Sequence, residues 1–429
     1  MKNLKSFGLF AVVIIIISTL LLTGCNVDDS LKVLGATINE KGELVINYAD
    51  GKTENLGEVV PEEESSKPNT DNNVGGSSGA PIVGTETDVA LAASKGLRSS
   101  VSIFCTFGQS DTASAYYSAG SGVIFKLDKA NGNAFIITNY HVVYDKNEGI
   151  SKEIGVYLYG GEYTDSEIKA TYVGGSLNYD IAVLYVEDSE VIKNSCAVAA
   201  DIADSDHISV GQTAIAIGNA EGYGLSASSG VISVDSEYID MIAPDDITAV
   251  SFRVMRIDTA VNHGNSGGGL FNAQGELIGI VNAKIIDENV ENIGYAIPST
   301  LAVAVANNII DNCFGKECST LQRCLLGITI STTSSSAIYD ESTGLVRIVE
   351  SIGVVEVSEG SIAYGIVEAN DILVSATLNG ITKEITRQFH VIDLMINARP
   401  GDTMYLTVER GEETVTVSIK ITEDCVTSY

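Results

Sequence analysis

The chain has 429 residues, 45% of them apolar, and 25 lysines and arginines stand against 56 aspartates and glutamates. A formal charge of −31 repels phosphate backbones and anionic lipid headgroups, and no basic patch offsets it, which argues against nucleic acid as a partner. The apolar content is enough to bury substantial cores and excludes wholesale disorder. Abundant Gly, Val, Ile, Thr and Ser without a single Trp favours strands and turns over long helices.

At the N-terminus, Lys2 and Lys5 precede an apolar run over residues 7–22, short for a spanning helix, that ends in "LTGC" at residues 22–25. The pattern resembles the lipobox of bacterial lipoproteins. It implies a signal peptide over residues 1–24, cleavage before Cys25, and a lipid on the Cys25 thiol that anchors an extracytoplasmic chain to the cell membrane. Residues 25–60 hold two alternating stretches with turn signals at "EKGE" and "ADGK", which read as a small β-hairpin module. Residues 61–88 are acidic, then rich in Ser, Asn and Gly, and read as a flexible tether.

From residue 89 to 312 short apolar strands recur between Gly, Asn and Asp turns, among them "SVSIFCTF", "GSGVIFKL", "NAFIITN", "DIAVLYV", "TAIAIGN" and "ELIGIVNA". Repeated strands at this spacing predict an all-β barrel or sandwich. Residues 299–314 form an amphipathic helical pattern that closes this domain, and residues 233–250 read as a long loop near the site described next. After a junction at 313–324, residues 325–423 carry further strands, such as "TMYLTVERG" and "TVTVSIKI", and a helix through "RQFHVIDLMIN".

The chemistry concentrates in "AVNHGNSGGGL", residues 260–270, where four glycines surround one serine. A serine hydroxyl attacks only when a base takes its proton and donors hold the resulting oxyanion. Glycine permits the inward-turned amides this requires, and the N–H groups of Gly264 and Ser266 are the candidates. His141 follows the apolar strand of "IITNYHVV", and Asp180 stands at the mouth of another in "NYDIAVLYV". His, Asp and Ser in that order match one chain order of the catalytic triad. His263 sits where the oxyanion loop must bend and is set aside as the base; Asp258 is a weaker rival to Asp180. His207 and His390 lie outside every motif and read as surface or packing residues. No CxxC pair or Cys/His cluster has zinc spacing, so neither metal nor cofactor is expected.

Together "GSGVIF", "ITNYHVV", "YDIAVLYV", "AIAIGN", "SSGVISV", "DTAVNHGNSGG", "GELIGIVNA" and "IGYAIPS" resemble the trypsin-like HtrA/Deg serine proteases, in family order over residues 95–310. The resemblance implies a mainly β protein with a chymotrypsin-like double β-barrel protease domain. His141 is then the general base, Asp180 orients it, Ser266 attacks, and Gly264 and Ser266 form the oxyanion hole. Gly269 departs from the family's Pro or Ala. Lys284 departs from its apolar residue at the primary specificity pocket, whose other walls are Val261 and Ile293. Either the Lys284 ammonium reaches solvent over a small apolar pocket, or it accepts an acidic residue before the cleaved bond. The expected substrates are unfolded or damaged exported proteins, and family members commonly form trimers. The alternative is a catalytically inactive or weakly active chaperone or scaffold that binds peptides through the C-terminal unit.

The C-terminal unit resembles the family's small α+β PDZ domain, with Leu326, Gly327 and Ile328 of "LLGITIS" as the loop that binds peptide C-termini, and Asn370 replacing a usual Gly. PDZ topology implies a Cys324–Cys425 disulfide. Cys313–Cys318 would then close a short junction loop, leaving Cys105 with Cys196.

Overall fold

The computed structural model describes residues 33–38, 43–48, 52–58, 86–108, 115–161, 166–283 and 293–428. The leader, Cys25, most of the tether and Lys284 lie outside the described residues. The chain divides into two compact units, Met1–Gly76 and Ser77–Tyr429. In the first, β1 (Val33–Ile38) and β2 (Glu43–Tyr48) are joined by β3 (Thr53–Glu58) in an antiparallel meander. The two-stranded hairpin expected there is therefore a three-stranded sheet, because the residues after "ADGK" also pair.

The second unit opens with α1 (Glu86–Leu97), which takes up the last residues assigned to the tether. Six strands close barrel 1: β4 (Ser100–Phe107), β5 (Tyr116–Asp128), β6 (Asn133–Thr138), β9 (Glu153–Leu158), β10 (Ile168–Ser176) and β11 (Ile181–Val186). Between β6 and β9 lie a one-turn helix, α2 (Tyr140–Val143), and the two-residue strands β7 (Tyr144–Asp145) and β8 (Gly149–Ile150). After α3 (Glu190–Lys193), barrel 2 closes from β12 (Thr213–Gly218), β13 (Ser226–Ile242), β14 (Ala249–Ile257), β15 (Gly269–Phe271), β16 (Leu277–Val281) and β17 (Gly294–Pro298).

Period-two alternation sorts the apolar residues between three cores. On β11, Ala182, Leu184 and Val186 point into barrel 1, whereas Ile181 and Val183 face the space between the barrels. On β12, Ala214 and Ala216 fill barrel 2, and Ile215 and Ile217 meet the same shared core. Strands buried on both faces therefore read as continuous apolar runs. The helix α4 (Ser299–Cys313) lays Leu301, Val305 and Ile309, spaced four apart, into the shared core, each worth about 1.5–3 kcal/mol of apolar burial.

Residues 233–250, expected as a loop, belong instead to a paired ribbon in which β13 and β14 run antiparallel from Ile232↔Ile257 to Ile242↔Ala249. Cross-strand pairing holds a segment whose own sequence carries little strand signal.

Beyond β18 (Gln322–Cys324), a sheet forms from β19 (Ile328–Asp340), β20 (Leu345–Val357), β21 (Ile372–Leu378), β23 (Thr403–Arg410) and β24 (Glu413–Lys420), with β22 (Ile381–Glu384) paired to β21. The helix α5 (Gln388–Leu394) packs against it, and β25 (Val426–Ser428) pairs with β18. Met404, Leu406 and Val408 alternate inward on β23 to build its core. This layer is fixed to barrel 2 by charges withdrawn from water. Arg253 donates to Asp206 at 2.8 Å and is ion-paired with Asp393 at 3.0 Å, Lys383 also pairs Asp206, and Arg387 meets Asp235 at 2.8 Å.

Candidate active site

His141 stands on α2, a helix too short to hold itself. Its N-terminal end is tied to Asp180: Asn139 Nδ2 donates to the Asp180 carbonyl at 2.8 Å, and the Tyr140 N–H donates to the same oxygen at 3.2 Å. The Asp180 carboxylate in turn accepts from the His141 N–H at 2.9 Å through Oδ1 and meets His141 Nδ1 at 2.6 Å through Oδ2. Asn282, just past β16, donates from Nδ2 to that same Oδ2 at 2.8 Å. Asp180 is 1% exposed and has a φ of 51°, a left-handed conformation that this ring of donors sustains. The imidazole is thereby fixed with Nδ1 against a buried carboxylate, leaving Nε2 to face the cleft.

Ser266 is 5% exposed and belongs to the glycine loop of barrel 2. Barrel 1 reaches across to shape that loop. The Ser121 N–H on β5 donates to the Ser266 carbonyl at 2.8 Å, and Ser121 Oγ donates to the Gly264 carbonyl at 2.7 Å while accepting from the Asn219 N–H at 2.7 Å. Gly264 has a φ of +88°, and a Cβ there would collide with the Asn219 carbonyl oxygen. The His263 carbonyl accepts from the Glu221 N–H at 2.8 Å. Because the peptide is trans, this turns the Gly264 N–H the opposite way. At Gly269 the Phe271 ring occupies the space a Cβ would need, which explains why no larger residue stands there. Ser266 Oγ accepts from the Ala283 N–H at 3.2 Å.

The two halves meet. His141 and Ser266 line one cleft of about 460 Å³, together with Ser118, Ala119, Glu221, Val261, His263, Gly264 and Ala283. An imidazole held by a carboxylate and a serine hydroxyl thus border one cleft, with Gly264 beside them; an imidazole and a hydroxyl are the groups from which acyl transfer to serine is built.

A sequence model of the trypsin-like peptidase domain matches residues 120–280. The Do-like serine protease HtrA of Bacillus subtilis is 32% identical over 332 residues, covering 76% of this chain and 68% of that protein. The chain belongs to the HtrA family of serine proteases. It is accordingly a serine-type endopeptidase built on the trypsin-like fold. The periplasmic pH-dependent serine endoprotease DegQ of Escherichia coli is 31% identical over 312 residues, 72% of this chain and 60% of that one. Among solved structures, the HtrA-type protease AlgW with a tripeptide aligns over 78% of this chain and 96% of its own, at 26% identity and a TM-score of 0.51.

Within this HtrA chain the other candidates fall into place. His263 lines the cleft but is exposed, and its backbone is engaged by Glu221. Asp258 accepts from the Val231 N–H at 2.6 Å, so it terminates a strand pair. His207 is exposed and pairs with Asp204 at 2.9 Å. His390 is buried in α5, accepts from the Thr386 N–H at 3.2 Å, and is pushed down to about 4 by that burial. Val261 lines the cleft, with Gly294 packed against it; Ile293 lies next along the chain but outside the lining, and Lys284 is not among the described residues.

Sequence reading missed Asn282, Ser121 and Asn219. The one available signal was a polar residue directly after an apolar strand, as in "LIGIVN". Its partner lies about a hundred positions away and carries no local mark.

In the C-terminal unit, Leu326 is buried and Ile328 begins β19, an edge strand of its sheet. Gly327 between them has a φ of +75°, and Ser361 fills the place of a Cβ. Asn370 has a φ of 73° and so takes the left-handed turn expected of glycine. Cys313 and Cys318 are joined by a disulfide. Cys324 and Cys425 are thiols lying against each other, both buried. The Cys105–Cys196 link is not formed: Cys105 points into the core of barrel 1, whereas Cys196 is exposed on the loop after α3.

Proposed function

We propose that this protein is a membrane-tethered, extracytoplasmic HtrA-type protease that cuts unfolded exported polypeptides through an acyl-enzyme on Ser266. A substrate segment lies extended in the cleft. His141 Nε2 takes the proton of Ser266 Oγ as that oxygen attacks the scissile carbonyl, and Asp180 stabilises the imidazolium that results. The Gly264 and Ser266 amides receive the oxyanion. His141 then protonates the leaving amine, and water, activated by the same imidazole, releases the acyl group.

The observation that carries this reading is the Asp180 carboxylate bonded to His141 through both its backbone and its ring, in the cleft that also holds Ser266. Extracytoplasmic action draws support from the lipobox pattern at Cys25 and from the periplasmic relative. The residues 325–423 serve as a PDZ domain, with Leu326, Gly327 and Ile328 receiving a chain end beside edge strand β19. Trimeric assembly is the expectation for the full chain, and sedimentation tests it.

Casein hydrolysis and covalent fluorophosphonate labelling test the chemistry. Wild type should do both, and Ser266→Ala should lose the label and about a millionfold in kcat. A folded wild type that does neither is a peptide-binding scaffold.

A further inference from the structure

The cleft lining has two unlike stretches. One stretch is formed by Val261 and Ala283, with Gly294 packed behind Val261, and is the wall that the family resemblance assigns to the side chain before the scissile bond. Another stretch of the lining is formed by Ser118 and Ala119 at the start of β5 and by the turn at Glu221, where Gly222 comes up against Ala119. Among the described residues lining the cleft, Glu221 is the one carboxylate, and no described cation pairs with it.

Its placement is held at a cost. Glu221 has a φ of 55°, a conformation that non-glycine residues seldom adopt. The surrounding turn enforces it. The Glu221 N–H donates to the His263 carbonyl at 2.8 Å, the Gly222 N–H to the Asn219 carbonyl at 3.0 Å, and the Gly224 N–H to Asn219 Oδ1 at 2.7 Å. Asn219 is itself fully buried. A strained backbone thus holds an exposed carboxylate, paired with no cation among the described residues, one hydrogen bond from the oxyanion loop.

We propose that Glu221 selects the residue on the leaving-group side, so that the enzyme cleaves ahead of lysine or arginine in preference to aspartate or glutamate at the first two positions after the scissile bond. The inference rests on the cleft assignment above. A cation bound in the cleft gains the attraction of this carboxylate and an anion meets its repulsion, both reduced by the solvent that reaches Glu221. The same turn that shapes the oxyanion loop carries the selecting charge, so the substrate residue that fits is read beside the bond that breaks.

The test uses internally quenched peptides that differ only in Lys, Gln or Glu at those two positions. They are assayed with the full chain as wild type, Glu221→Gln and Glu221→Lys, each normalised by fluorophosphonate titration so that only competent sites are counted. Wild type should favour Lys over Glu in kcat/KM by about three- to tenfold, shrinking as salt screens the pair. Glu221→Gln should flatten the ratio and Glu221→Lys should reverse it. Wild type that labels and cuts casein, but whose Lys-to-Glu ratio is unmoved by both substitutions, overturns the inference alone. A wild type without label or casein cleavage overturns the cleft assignment, and this inference with it.

Discussion

Asp180 concentrates the residue-scale logic of this site. Its carboxylate is buried, accepts from the His141 N–H and from Asn282, and meets the His141 ring. Each donor fixes the direction of the oxygen that faces the imidazole. Asn282 is thus a positioning residue acting through Asp180. Removing it should lower kcat by about ten- to a hundredfold, the worth of one hydrogen bond to a buried charge, with KM little changed. Asn282→Ala assayed on casein-derived peptides checks this, and a loss confined to KM would assign Asn282 to substrate binding instead. His141, Asp180 and Ser266 stand out as candidates from residue type and from the apolar strands before or after them. Asn282, Ser121 and Asn219 were not, because their roles depend on partners from other strands.

At the scale of elements, β4, β6, β11, β12 and β16 were readable because burial on one or both faces dictates their apolar pattern. The β13–β14 ribbon was not, since pairing between its two strands supplies what its composition lacks. Nor does any local pattern announce the charged seam where α5 meets barrel 2. Asp206 there is opposed by burial but held below the usual carboxylate range by Arg253 and Lys383. Asp393 goes the other way, pushed up to about 6 by burial that outweighs Arg253 at 3.0 Å.

The sign of the Asp393 effect follows. A carboxyl whose folded pKa is raised contributes stability that is complete below its unfolded pKa and is lost as pH rises through about 6. Asp393→Asn should therefore gain thermal stability relative to wild type between pH 5 and pH 8. His390 titrates in both proteins and cancels in the comparison. Melting curves at the two pH values decide it, and a flat difference would mean that the carboxyl stays ionised against Arg253 throughout.

For the molecule as a whole, neither barrel is complete alone. The shared core takes Ile181 and Val183 from one, Ile215 and Ile217 from the other, and Leu301, Val305 and Ile309 from α4, so the seam that carries the site is also where apolar surface is shared. The C-terminal unit starts and ends at one place, where β18 pairs with β25 and the Cys324 and Cys425 thiols touch. Burial pushes the Cys324 thiol up to about 12, and Cys105 likewise, so exchange on the folded protein is slow. Refolding in a glutathione redox buffer should join Cys324 to Cys425 and, by closing a loop of this length, stabilise the unit by about 3–5 kcal/mol. Non-reducing peptide mapping reads the link, and both thiols recovered free would exclude it.

By itself the sequence determined the strand-rich class and the family resemblance, and offered His141, Asp180 and Ser266 as candidates, because alternation, turn residues and reactive side chains are local properties of a chain. Tertiary structure alone decided that His141 and Ser266 share a cleft, that Asn282 bonds Asp180, and that a left-handed Glu221 borders that cleft. Each of these depends on a hydrogen bond or a packed face contributed by a segment far along the chain, and local pattern holds no record of which distant segment that will be.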